Sequence, residues 1–475
     1  MKLSHLLKGL EIKEIYNEKD VEITGIHYNS KEIMPGNLFV AIEGFVTDGH
    51  KYIPSAVENG ASAILCSKYT EGIELPQIVV ENPRVAEAQI CAEFFGNPSS
   101  KFQLIGITGT NGKTTCTYLI KHILEHCGKK VGLIGTNQNM IGTRIIDTGK
   151  TTPDAFDLQK LFADMAEEKM DCVIMEVSSH ALELSRVHCC EFAAAGFTNL
   201  TQDHLDFHIT MDNYAKAKEK LFAMTKNAII NVDDVYGSAM ASRTGCNTLS
   251  YGINSDCNLK AENVILSESG VEFEVGDTKF SLPIPGDFSV YNALCAIGIT
   301  ASLGVDMKDI SDALASADGV KGRAEVVKTD TDYTVMIDYA HTPDGIENIL
   351  KTVRGFAKGR VVIVFGCGGD RDNTKRPIMG ETAGRLADFC VVTSDNPRSE
   401  DPMKIISMIE PGVKSTGTPY VVIENRREAI EYALKNAQTD DVIVLAGKGH
   451  ETYQILAEGK IHFDEREVIR DILAK

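Results

Sequence analysis

The stretch GITGTNGKTT, residues 106–115, constrains the fold of this chain more than any other segment. It follows the apolar run LIGI and precedes the amphipathic segment TTCTYLIKHILEHCG, so a strand, a glycine-rich loop and a helix are predicted in that order. Backbone N–H groups of such a loop, together with the N-terminus of the helix, surround a phosphate group. Ile107 stands where the usual GxxxxGK[ST] pattern has its first glycine, so we expect a variant phosphate loop.

The side chains of this loop suit a nucleotide triphosphate. Glycines at 109 and 112 let the backbone approach a ligand closely or adopt a positive φ. Lys113 can neutralise the β- and γ-phosphates, and Thr114 can ligate Mg²⁺. A mere strand-to-helix turn would not require Lys-Thr after glycine. The predicted ATP-binding residues of the loop are Gly109, Thr110, Asn111, Gly112, Lys113, Thr114 and Thr115.

Short apolar runs along the chain predict an α/β protein. Strands are expected at NLFVAI, SAILCS and QIVV, before the break at FFGNPSSKF. After it, DCVIMEVSS, AAAGFTNL and NAIINVDD are continuous apolar runs that end in polar residues, as in a parallel sheet buried on both faces. The segment NLKAENVILSESGVEFEVGDTKFSLPIPG alternates instead, which predicts antiparallel hairpins.

The alternation of predicted strands and helices starts again after GVKGRAEVV. Five further strands are predicted there, each ending in polar or glycine residues: YTVMIDYAH, RVVIVFGCGGD, DFCVVTSDNP, PYVVIEN and DVIVLAGKGH. We therefore predict three domains: a small α/β N-terminal domain at 1–98, a central P-loop ATPase-like domain with a mostly parallel sheet at 99–323, and a C-terminal Rossmann-like α/β domain at 324–475.

Composition limits the partners of this chain. Its 475 residues suffice for two to four domains, and its net charge of −19 provides no basic excess for a nucleic-acid backbone. No apolar run is long enough for a membrane span, and the N-terminus turns acidic too early for a secretory signal. The 12 cysteines contain no CxxC pair, which predicts reduced thiols in a cytoplasmic protein. A monomer is expected.

A series of motifs resembles the Mur ligase family, the ATP-dependent amide ligases of peptidoglycan precursor synthesis. The resemblance covers essentially the whole chain, although the first motif has Asn29-Ser30-Lys31 where the family usually has Asp-Ser-Arg. In order, the motifs are NSKEIMPGNLFVAIEGFVTDGHKY, TGTNGKTT, TTPD, MEVSSHAL, TNLTQDHLDFH, YAKAKEKLF, DYAHTPD and GCGGDRDNTKRPIMG.

The resemblance implies a set of residues that hold Mg²⁺ and act in catalysis. Glu176, at the end of an apolar run, is expected to bind Mg²⁺ with Thr114, and His204 to bind a second metal ion. Lys218 matches the lysine that family members carry as a carbamate. The predicted metal ligands are thus Thr114, Glu176, His204 and Lys218, and the predicted catalytic residues are Lys113, Glu176, His204 and Lys218.

Two of these assignments have neighbours that could take their place. His208 follows His204 in the same motif and ranks second as the metal ligand. Lys216 and Lys220 flank Lys218, and a lysine-rich helix is by default a solvated face. A surface carboxylate is the corresponding alternative for Glu176.

The resemblance also places residues at the far end of the nucleotide and on the acceptor substrate. Expected at the nucleotide are Asn292, Arg323, Asp338 and His341, although Asp338 could be a strand-end cap and Arg323 a surface linker residue. The acceptor is expected to be a UDP-N-acetylmuramoyl dipeptide. Its predicted contacts are Ser30, Phe45, Val46 and Thr47 for the uridine, and Thr151, Thr152, Ser178 and Arg186 for the sugar and peptide.

A last group of residues should select the incoming amino acid. The family carries DNPR when it adds meso-diaminopimelate, because a guanidinium can pair with the far carboxylate of that amino acid. The alternative for this segment is a type I turn with a surface arginine. The predicted diaminopimelate-binding residues are Arg376, Asp395, Asn396, Pro397, Arg398, Gly447 and Glu451.

These motifs imply a reaction that needs no side-chain nucleophile. The D-glutamyl γ-carboxylate would attack the γ-phosphate of ATP, and an amine would then attack the acyl phosphate. One alternative is a ligase of the same family that adds L-lysine or another diamine. Folylpolyglutamate synthetases share a related loop but would not be expected to carry DNPR. A P-loop switch without a ligase step is the alternative from another class.

Overall fold

The computed structural model describes residues 1–44, 47–146, 149–267 and 269–474. The predicted uridine contacts Phe45 and Val46 lie outside these residues. The chain divides into two compact units: Met1–Gly106, Lys129–Ala195 and Ala217–Lys226 form the first, and Ile107–Gly128, Gly196–Lys216 and Asn227–Lys475 form the second. Because these bounds differ from those of the three predicted domains, the domain boundaries stay a prediction.

The first sheet has five strands. They are β1 (Ile12–Tyr16), β2 (Gly25–His27), β3 (Asn37–Val40), β4 (Ala63–Cys66) and β5 (Gln77–Val80), in the order β1-β5-β4-β3-β2. The helices are α1 (Leu3–Leu6), α2 (Ile53–Glu58) and α3 (Pro83–Phe94). Leu38 and Val40 join one core cluster while Phe39 and Ala41 join another, so both faces of the sheet are buried. The three strands predicted in this part of the chain are confirmed.

The second sheet contains the strand before the phosphate loop. Its strands are β6 (Gln103–Thr108), β7 (Val131–Ile134), β8 (Asn139–Ile141), β9 (Arg144–Ile146), β10 (Cys172–Glu176), β11 (Phe192–Phe197), β12 (Thr225–Asn231), β13 (Asn247–Gly252) and β14 (Leu259–Lys260), in the order β14-β13-β12-β11-β6-β10-β7-β8-β9. The helices are α4 (Lys113–His126), α5 (Ala155–Glu167), α6 (Ser179–Glu183), α7 (Leu205–His208), α8 (Met211–Glu219), α9 (Val235–Ala241), α10 (Asp287–Ser302) and α11 (Met307–Ala315).

The alternating segment after residue 258 forms two kinds of strand. β15 (Glu262–Ser267), β16 (Gly270–Val275) and β17 (Thr278–Leu282) make an antiparallel sheet, which confirms the predicted hairpins. The prediction is wrong for β14, which pairs parallel with β13 through Tyr251 with Leu259 and Gly252 with Lys260. This pairing is too short to leave a periodicity in the sequence.

The third sheet has six strands. They are β18 (Glu325–Val327), β19 (Thr334–Asp338), β20 (Val361–Phe365), β21 (Phe389–Val392), β22 (Tyr420–Val422) and β23 (Val442–Ala446), in the order β18-β19-β23-β20-β21-β22. A hairpin of β24 (Tyr453–Leu456) and β25 (Gly459–His462) follows. The helices are α12 (Pro343–Arg354), α13 (Lys375–Leu386), α14 (Pro402–Thr416), α15 (Arg426–Lys435) and α16 (Glu465–Leu473).

The five strands predicted in this region are β19 to β23, and all of their pairings with one another are parallel. Alternate residues of β20 belong to two different core clusters, Ile363 to one and Val362 and Val364 to the other, so helices cover both faces. The predicted fold class, α/β with mostly parallel sheets, is confirmed.

Helices α13 and α14 pack with their backbones in close approach. A Cβ atom at Gly380 would lie 2.3 Å from the carbonyl oxygen of Ile409, and one at Gly412 would lie 1.9 Å from that of Pro377. Only glycine permits this separation. Among the described residues, no helix is both long and apolar enough to cross a membrane.

Candidate functional site

The phosphate loop lies in the second unit, between β6 and α4. Gly109 has φ +148° and Gly112 has φ +86°. A Cβ atom at Gly109 would lie 1.8 Å from Thr198 Oγ1, and one at Gly112 would lie 2.4 Å from Asn292 Oδ1. Both positions therefore require glycine, for backbone conformation and for space.

Hydrogen bonds from the segment after β11 hold the loop in place. Thr198 Oγ1 donates to the carbonyl oxygen of Asn111 at 2.6 Å, and the Asn111 N–H donates to Asn199 Oδ1 at 2.9 Å. The Thr110 N–H donates to the Asn199 carbonyl oxygen at 2.9 Å. The loop is thus preorganised by its own unit.

Lys113 and Thr114 begin helix α4, as the sequence predicted. Lys113 Nζ donates to the carbonyl oxygens of Gly109 and Thr110, at 2.9 and 2.8 Å. The Thr114 side chain is buried, and its Oγ1 accepts from Arg323 Nη2 at 3.1 Å. The cation of Lys113 and the hydroxyl group of Thr114 are therefore held at the front of the loop.

A cavity of about 290 Å³ lies beside this loop, within the second unit. Six predicted nucleotide residues line it: Asn111, Gly112, Thr115, Asn292, Arg323 and Asp338. The sequence interpretation missed other lining residues, among them Phe288, Tyr291 and Asp233. The aromatic side chains of α10 offer faces on which a planar base could stack. The predicted His341 is not part of this lining; burial lowers the pKa of its imidazole.

Arg323 and Asp338 occupy defined positions at this cavity. The Arg323 guanidinium lies 4.5 Å from the centre of the Tyr339 ring, a cation–π contact. Asp338 accepts from the backbone N–H groups of Ala324 and Ala340, each at 2.7 Å. Asp338 is therefore a strand-end cap as well as a cavity residue. Burial raises the pKa of Asp338, and the charge of Arg323 opposes that rise.

Asp344 was missed, although it lies in the DYAHTPD motif. Asn111 Nδ2 donates to Asp344 Oδ2 at 2.6 Å, and Thr201 Oγ1 donates to the same oxygen at 3.3 Å. The side chain thus connects the phosphate loop to the first turn of α12. An acidic residue directly after the Thr-Pro start of a helix was the available signal.

The structure distinguishes His204 from His208. His204 precedes α7 with φ +54°, and its Nε2 lies 3.4 Å from Asp203 Oδ2. Burial opposes ionisation of Asp203, but the charges of His204, His341 and Lys375 outweigh it and lower the Asp203 pKa to about 2. His208 is buried and stacks on Tyr214. Its packing role favours His204 as the candidate ligand.

A buried polar network joins the segments after β21 and β23. Asn396 Nδ2 donates to Glu451 Oε2 at 2.9 Å, as expected of two residues in one pocket. Lys448, which was not predicted, is fully buried, and its Nζ donates to Asn396 Oδ1 at 2.9 Å and Glu451 Oε2 at 2.7 Å. The available signal was its position between the predicted Gly447 and Glu451.

Asp395 adjoins this network, and one of its carboxylate oxygens lacks a hydrogen-bond partner among the described residues. Its Oδ1 accepts from the Asn396 N–H at 2.7 Å, whereas its buried Oδ2 has no hydrogen-bond partner among the described residues. A Cβ atom at Gly447 would lie 2.5 Å from that Oδ2, so glycine keeps the space beside it open. A buried carboxylate oxygen in this state suits a cationic amino group of a ligand.

The two predicted arginines of the amino-acid pocket differ in setting. Arg376 is 1% exposed and pairs through both Nη atoms with Glu400, at 3.0 and 2.8 Å. Glu400 was missed. Arg398 follows Pro397 with φ +54° and is half-buried, and its Nη1 donates to the Gly369 carbonyl oxygen at 2.6 Å. The assignment of both arginines to diaminopimelate stays a prediction.

The first unit has its own cavity, of about 590 Å³. Three predicted acceptor residues line it: Ser30, Thr47 and Arg186. Thr151, Thr152 and Ser178 are not part of the lining. The charged and phenolic side chains that sequence reasoning missed are Tyr28, Lys31, Tyr52, Arg84, Glu87, Lys150 and Asp154.

Arg186 is fixed from two sides. Its Nε lies 2.9 Å from Asp154 Oδ1, and its Nη1 donates to the Thr152 carbonyl oxygen at 3.0 Å. Asp154 also accepts from Tyr28 Oη at 2.7 Å. The Arg186 guanidinium is thus held at the cavity wall.

The predicted Ser178 caps helix α6 by accepting from the Ala181 N–H at 3.2 Å.

Glu176 lies at the end of β10 in the first unit and is 1% exposed, so it is not a surface carboxylate. Its Oε1 accepts from the Thr136 N–H at 2.9 Å, and its Oε2 accepts from Thr136 Oγ1 at 3.0 Å. The same hydroxyl lies 3.0 Å from Thr151 Oγ1. These contacts fix the carboxylate in one orientation.

Lys218 is 1% exposed, whereas Lys216 and Lys220 are exposed. The alternative that this lysine lies on a solvated helix face is therefore wrong for Lys218. Lysine is rarely buried without a specific role. The burial favours the residue chosen from the motif over its two neighbours.

One group of described residues has carboxylate and imidazole atoms close enough to hold a metal ion: Glu43, Asp48 and His50. Lys68 Nζ lies 3.2 Å from Glu43 and 3.0 Å from Asp48. Because the lysine already supplies the positive charge, these residues make an ion-pair cluster.

Three family profiles match the chain. The Mur ligase middle domain matches residues 107–300, the glutamate ligase domain of Mur ligases matches 322–449, and the catalytic domain of the Mur ligase family matches 22–94. The chain belongs to the Mur ligase family. It therefore has the fold of a class of ATP-using ligases, in keeping with its phosphate loop.

Individual relatives are similar over their whole length. A protein of Caldanaerobacter subterraneus subsp. tengcongensis is 53% identical, covering 100% of this chain and 99% of the relative, and one of Clostridium botulinum is 49% identical with the same coverage. Both are named UDP-N-acetylmuramoyl-L-alanyl-D-glutamate--2,6-diaminopimelate ligase. A solved structure of that ligase is 30% identical and covers 100% of this chain and 99% of its own, with a TM-score of 0.69. The Thermotoga maritima MurF ligase in complex with ADP is 20% identical, with a TM-score of 0.61, and shares the fold.

Proposed function

We propose that this chain uses ATP to join meso-diaminopimelate to the D-glutamyl γ-carboxylate of UDP-N-acetylmuramoyl-L-alanyl-D-glutamate, releasing ADP and phosphate. The observation that carries the proposal is the full-length similarity, 45–53%, to ligases named for these two substrates. Because the reaction consumes ATP, we place it in the cytoplasm as a step of peptidoglycan precursor synthesis.

The phosphate loop supports the first half of the reaction. The backbone N–H groups at the start of α4 bind the phosphates, and Lys113 balances the charge of the γ-phosphate. The acceptor carboxylate attacks that phosphorus atom and displaces ADP, giving an acyl phosphate. Asn292 and the rings of α10 hold the nucleotide base, and Arg323 reaches the phosphates from beside Tyr339.

The donor atoms offered by Thr114 and Glu176 fit Mg²⁺, which prefers hard oxygen ligands. The Thr114 hydroxyl and the Glu176 carboxylate are each buried and oriented, and we assign each of them as a ligand of Mg²⁺; His204 and a carbamate on Lys218 are likewise assigned as metal ligands. When bound, these ions offset the negative charge of the phosphate oxygens. An ammonium is not a metal ligand, so the role of Lys218 depends on its conversion to a carbamate.

The network after β21 and β23 supports the choice of amino acid. Diaminopimelate has a carboxylate and an ammonium at each end. The Asp395 oxygen that has no hydrogen-bond partner among the described residues suits one ammonium, and Arg398 supplies a guanidinium group for the far carboxylate. Arg376 is assigned to the same pocket, where its pairing with Glu400 holds its guanidinium in place. Lysine lacks the far carboxylate, so with lysine bound Arg398 would have no anionic partner. The amine then attacks the acyl carbon and expels phosphate.

The test is an assay of phosphate release from ATP with the UDP-linked dipeptide as acceptor. We expect release to require meso-diaminopimelate and L-lysine to be a much poorer substrate. Release with lysine alone would identify a lysine ligase, and release independent of any amino acid would contradict the ligase proposal. Lys113→Ala should abolish turnover while the circular dichroism spectrum is unchanged.

Arg398→Ala tests the selectivity. Loss of a charge-assisted pair costs about 1.5–3 kcal/mol, so the KM for diaminopimelate should rise roughly ten- to a hundredfold while the KM for ATP stays the same. The matched control is Arg385→Ala, an exposed arginine of α13, which should leave both constants unchanged. An equal effect of Arg398→Ala on every amino acid would contradict the pocket assignment.

A further inference from the structure

Glu87 is a buried carboxyl group in the wall of the first unit's cavity. It lies on α3, is 6% exposed, and its Oε1 has no hydrogen-bond partner among the described residues. A buried carboxylate oxygen normally accepts at least one hydrogen bond, because it has lost its contacts with water. Glu87 is therefore costly to keep ionised in the ligand-free protein.

The charges that face Glu87 come from three segments and nearly balance. Arg84 lies one turn earlier on α3, and Arg186 follows α6. Asp154 and Asp157 contribute negative charge from the start of α5. Two guanidinium groups thus oppose two carboxylates.

Two neutral groups complete the surroundings: Tyr28, which donates to Asp154, and the Cys91 thiol on the same helix as Glu87. Burial raises the pKa of Glu87 to about 7, and the charge of Asp154 adds to that effect. The group is therefore poised to change its protonation near neutral pH.

We propose that Glu87 takes up one proton from solvent when the diphosphate of the acceptor binds in this cavity. The inference rests on the proposed function, because it takes the ligand to be a uridine diphosphate ester. Arg84, Lys150 and Arg186 line the same cavity and supply the positive charge that would attract the diphosphate.

Repulsion between the diphosphate and the Glu87 carboxylate determines that binding raises the pKa of Glu87. A diphosphate diester carries two negative charges, and an anion that approaches a carboxylate favours its protonated form. The carboxylate oxygen gains a proton from the buffer, and the O–H group becomes a hydrogen-bond donor to the ligand. Binding and proton uptake are then linked, so the affinity for the acceptor falls as pH rises through 7.

Isothermal titration calorimetry with UDP-N-acetylmuramoyl-L-alanyl-D-glutamate measures this uptake. The ligand has no group that titrates between pH 6 and 8.5, and buffers of different ionisation enthalpy report the number of protons transferred. At pH 7.5 we expect the wild type to take up about half to one proton per ligand. Its affinity should fall about tenfold between pH 6 and 8.5, which corresponds to a pKa rise of one unit on binding.

Glu87→Gln should abolish the uptake and flatten the pH profile, while its affinity at pH 6 matches that of the wild type. Glu93→Gln on the same helix, where Glu93 pairs with His5 outside the cavity, should retain the wild-type uptake. Asp157→Asn, at an exposed position, should shift the pH midpoint downwards and tests the inference even if Glu87→Gln folds poorly.

Unchanged proton uptake in a folded Glu87→Gln variant would overturn the inference while leaving the proposed function intact. The same holds if the wild type binds the acceptor without net proton uptake. Failure of the wild type to bind the acceptor at any pH would overturn the proposed function, and this inference with it.

Discussion

Replacing Lys448 by methionine removes a fully buried ammonium group while keeping the side-chain volume. The Nζ atom makes hydrogen bonds of 2.7 Å to Glu451 and 2.9 Å to Asn396. Breaking a buried ion pair from one side costs about 3–5 kcal/mol, because the other charge stays buried without compensation. Glu451 keeps the hydrogen bond from Asn396 Nδ2, and Asn396 Oδ1 keeps that from the Ile455 N–H. We therefore expect a loss near the lower limit, about 3 kcal/mol.

Urea unfolding followed by far-ultraviolet circular dichroism measures this loss through the midpoint and slope of the transition. The double variant Lys448→Met/Glu451→Gln removes both charges of the pair and should recover most of the loss, since neither member is left as an uncompensated charge. Lys460→Met is the control: Lys460 lies on the exposed strand β25, over the ring of Tyr453, and should cost at most about 1 kcal/mol. A loss below 1 kcal/mol for Lys448→Met, or no recovery in the double variant, would refute the reasoning.

Three further changes test other parts of the structure. The pKa of Glu87 is about 7 when folded against an ordinary 4.5, so its contribution to stability is present below pH 4.5 and is lost as pH rises through 7. Glu87→Gln should therefore be more stable than the wild type at pH 8 by about 2–3 kcal/mol and similar to it at pH 4.5, as measured by urea unfolding at both values. Gly112→Ala should weaken ATP binding at least about tenfold in calorimetry, because of the positive φ of Gly112 and the close approach of its Cβ position to Asn292. Gly128→Ala, where a Cβ meets nothing within 4 Å, should leave ATP binding unchanged. Asp344→Ala removes the acceptor of an asparagine side chain of the phosphate loop, so the KM for ATP should rise several-fold while that for diaminopimelate is unchanged.

The fold could be predicted from the sequence largely because its signals are local. The loop at 106–115 is surrounded by its own strand and helix, and the buried parallel strands are continuous apolar runs. Helix periodicity explains the difference between the three lysines of the YAKAKEKLF motif. Lys216 and Lys220 are four positions apart and share an exposed face, whereas Lys218 lies between them and is buried. Only β14, with two residues, was assigned to the wrong kind of pairing.

Several of the missed site residues are charged side chains with partners far away in the sequence. Lys448 bonds Asn396 across 52 positions, and Glu400 pairs with Arg376 across 24. In a sequence, lysine and glutamate look like solvated surface. Glu87 is harder still to predict, because its importance comes from one carboxylate oxygen in a cavity wall that has no hydrogen-bond partner in the described part of the chain. Such properties arise from packing between segments and leave no pattern in the chain.

The close contact of α13 and α14 adjoins two of the predicted diaminopimelate residues. Arg376 lies in the first turn of α13, and Arg398 lies a few residues before the start of α14, so both arginines border helices whose separation is small. Gly380 and Gly412 hold that separation at its minimum. A single methyl group at either glycine would push the two helices apart and displace Arg376 together with α13. The predicted diaminopimelate site would thus be altered from the helix crossing, with its own side chains left in place.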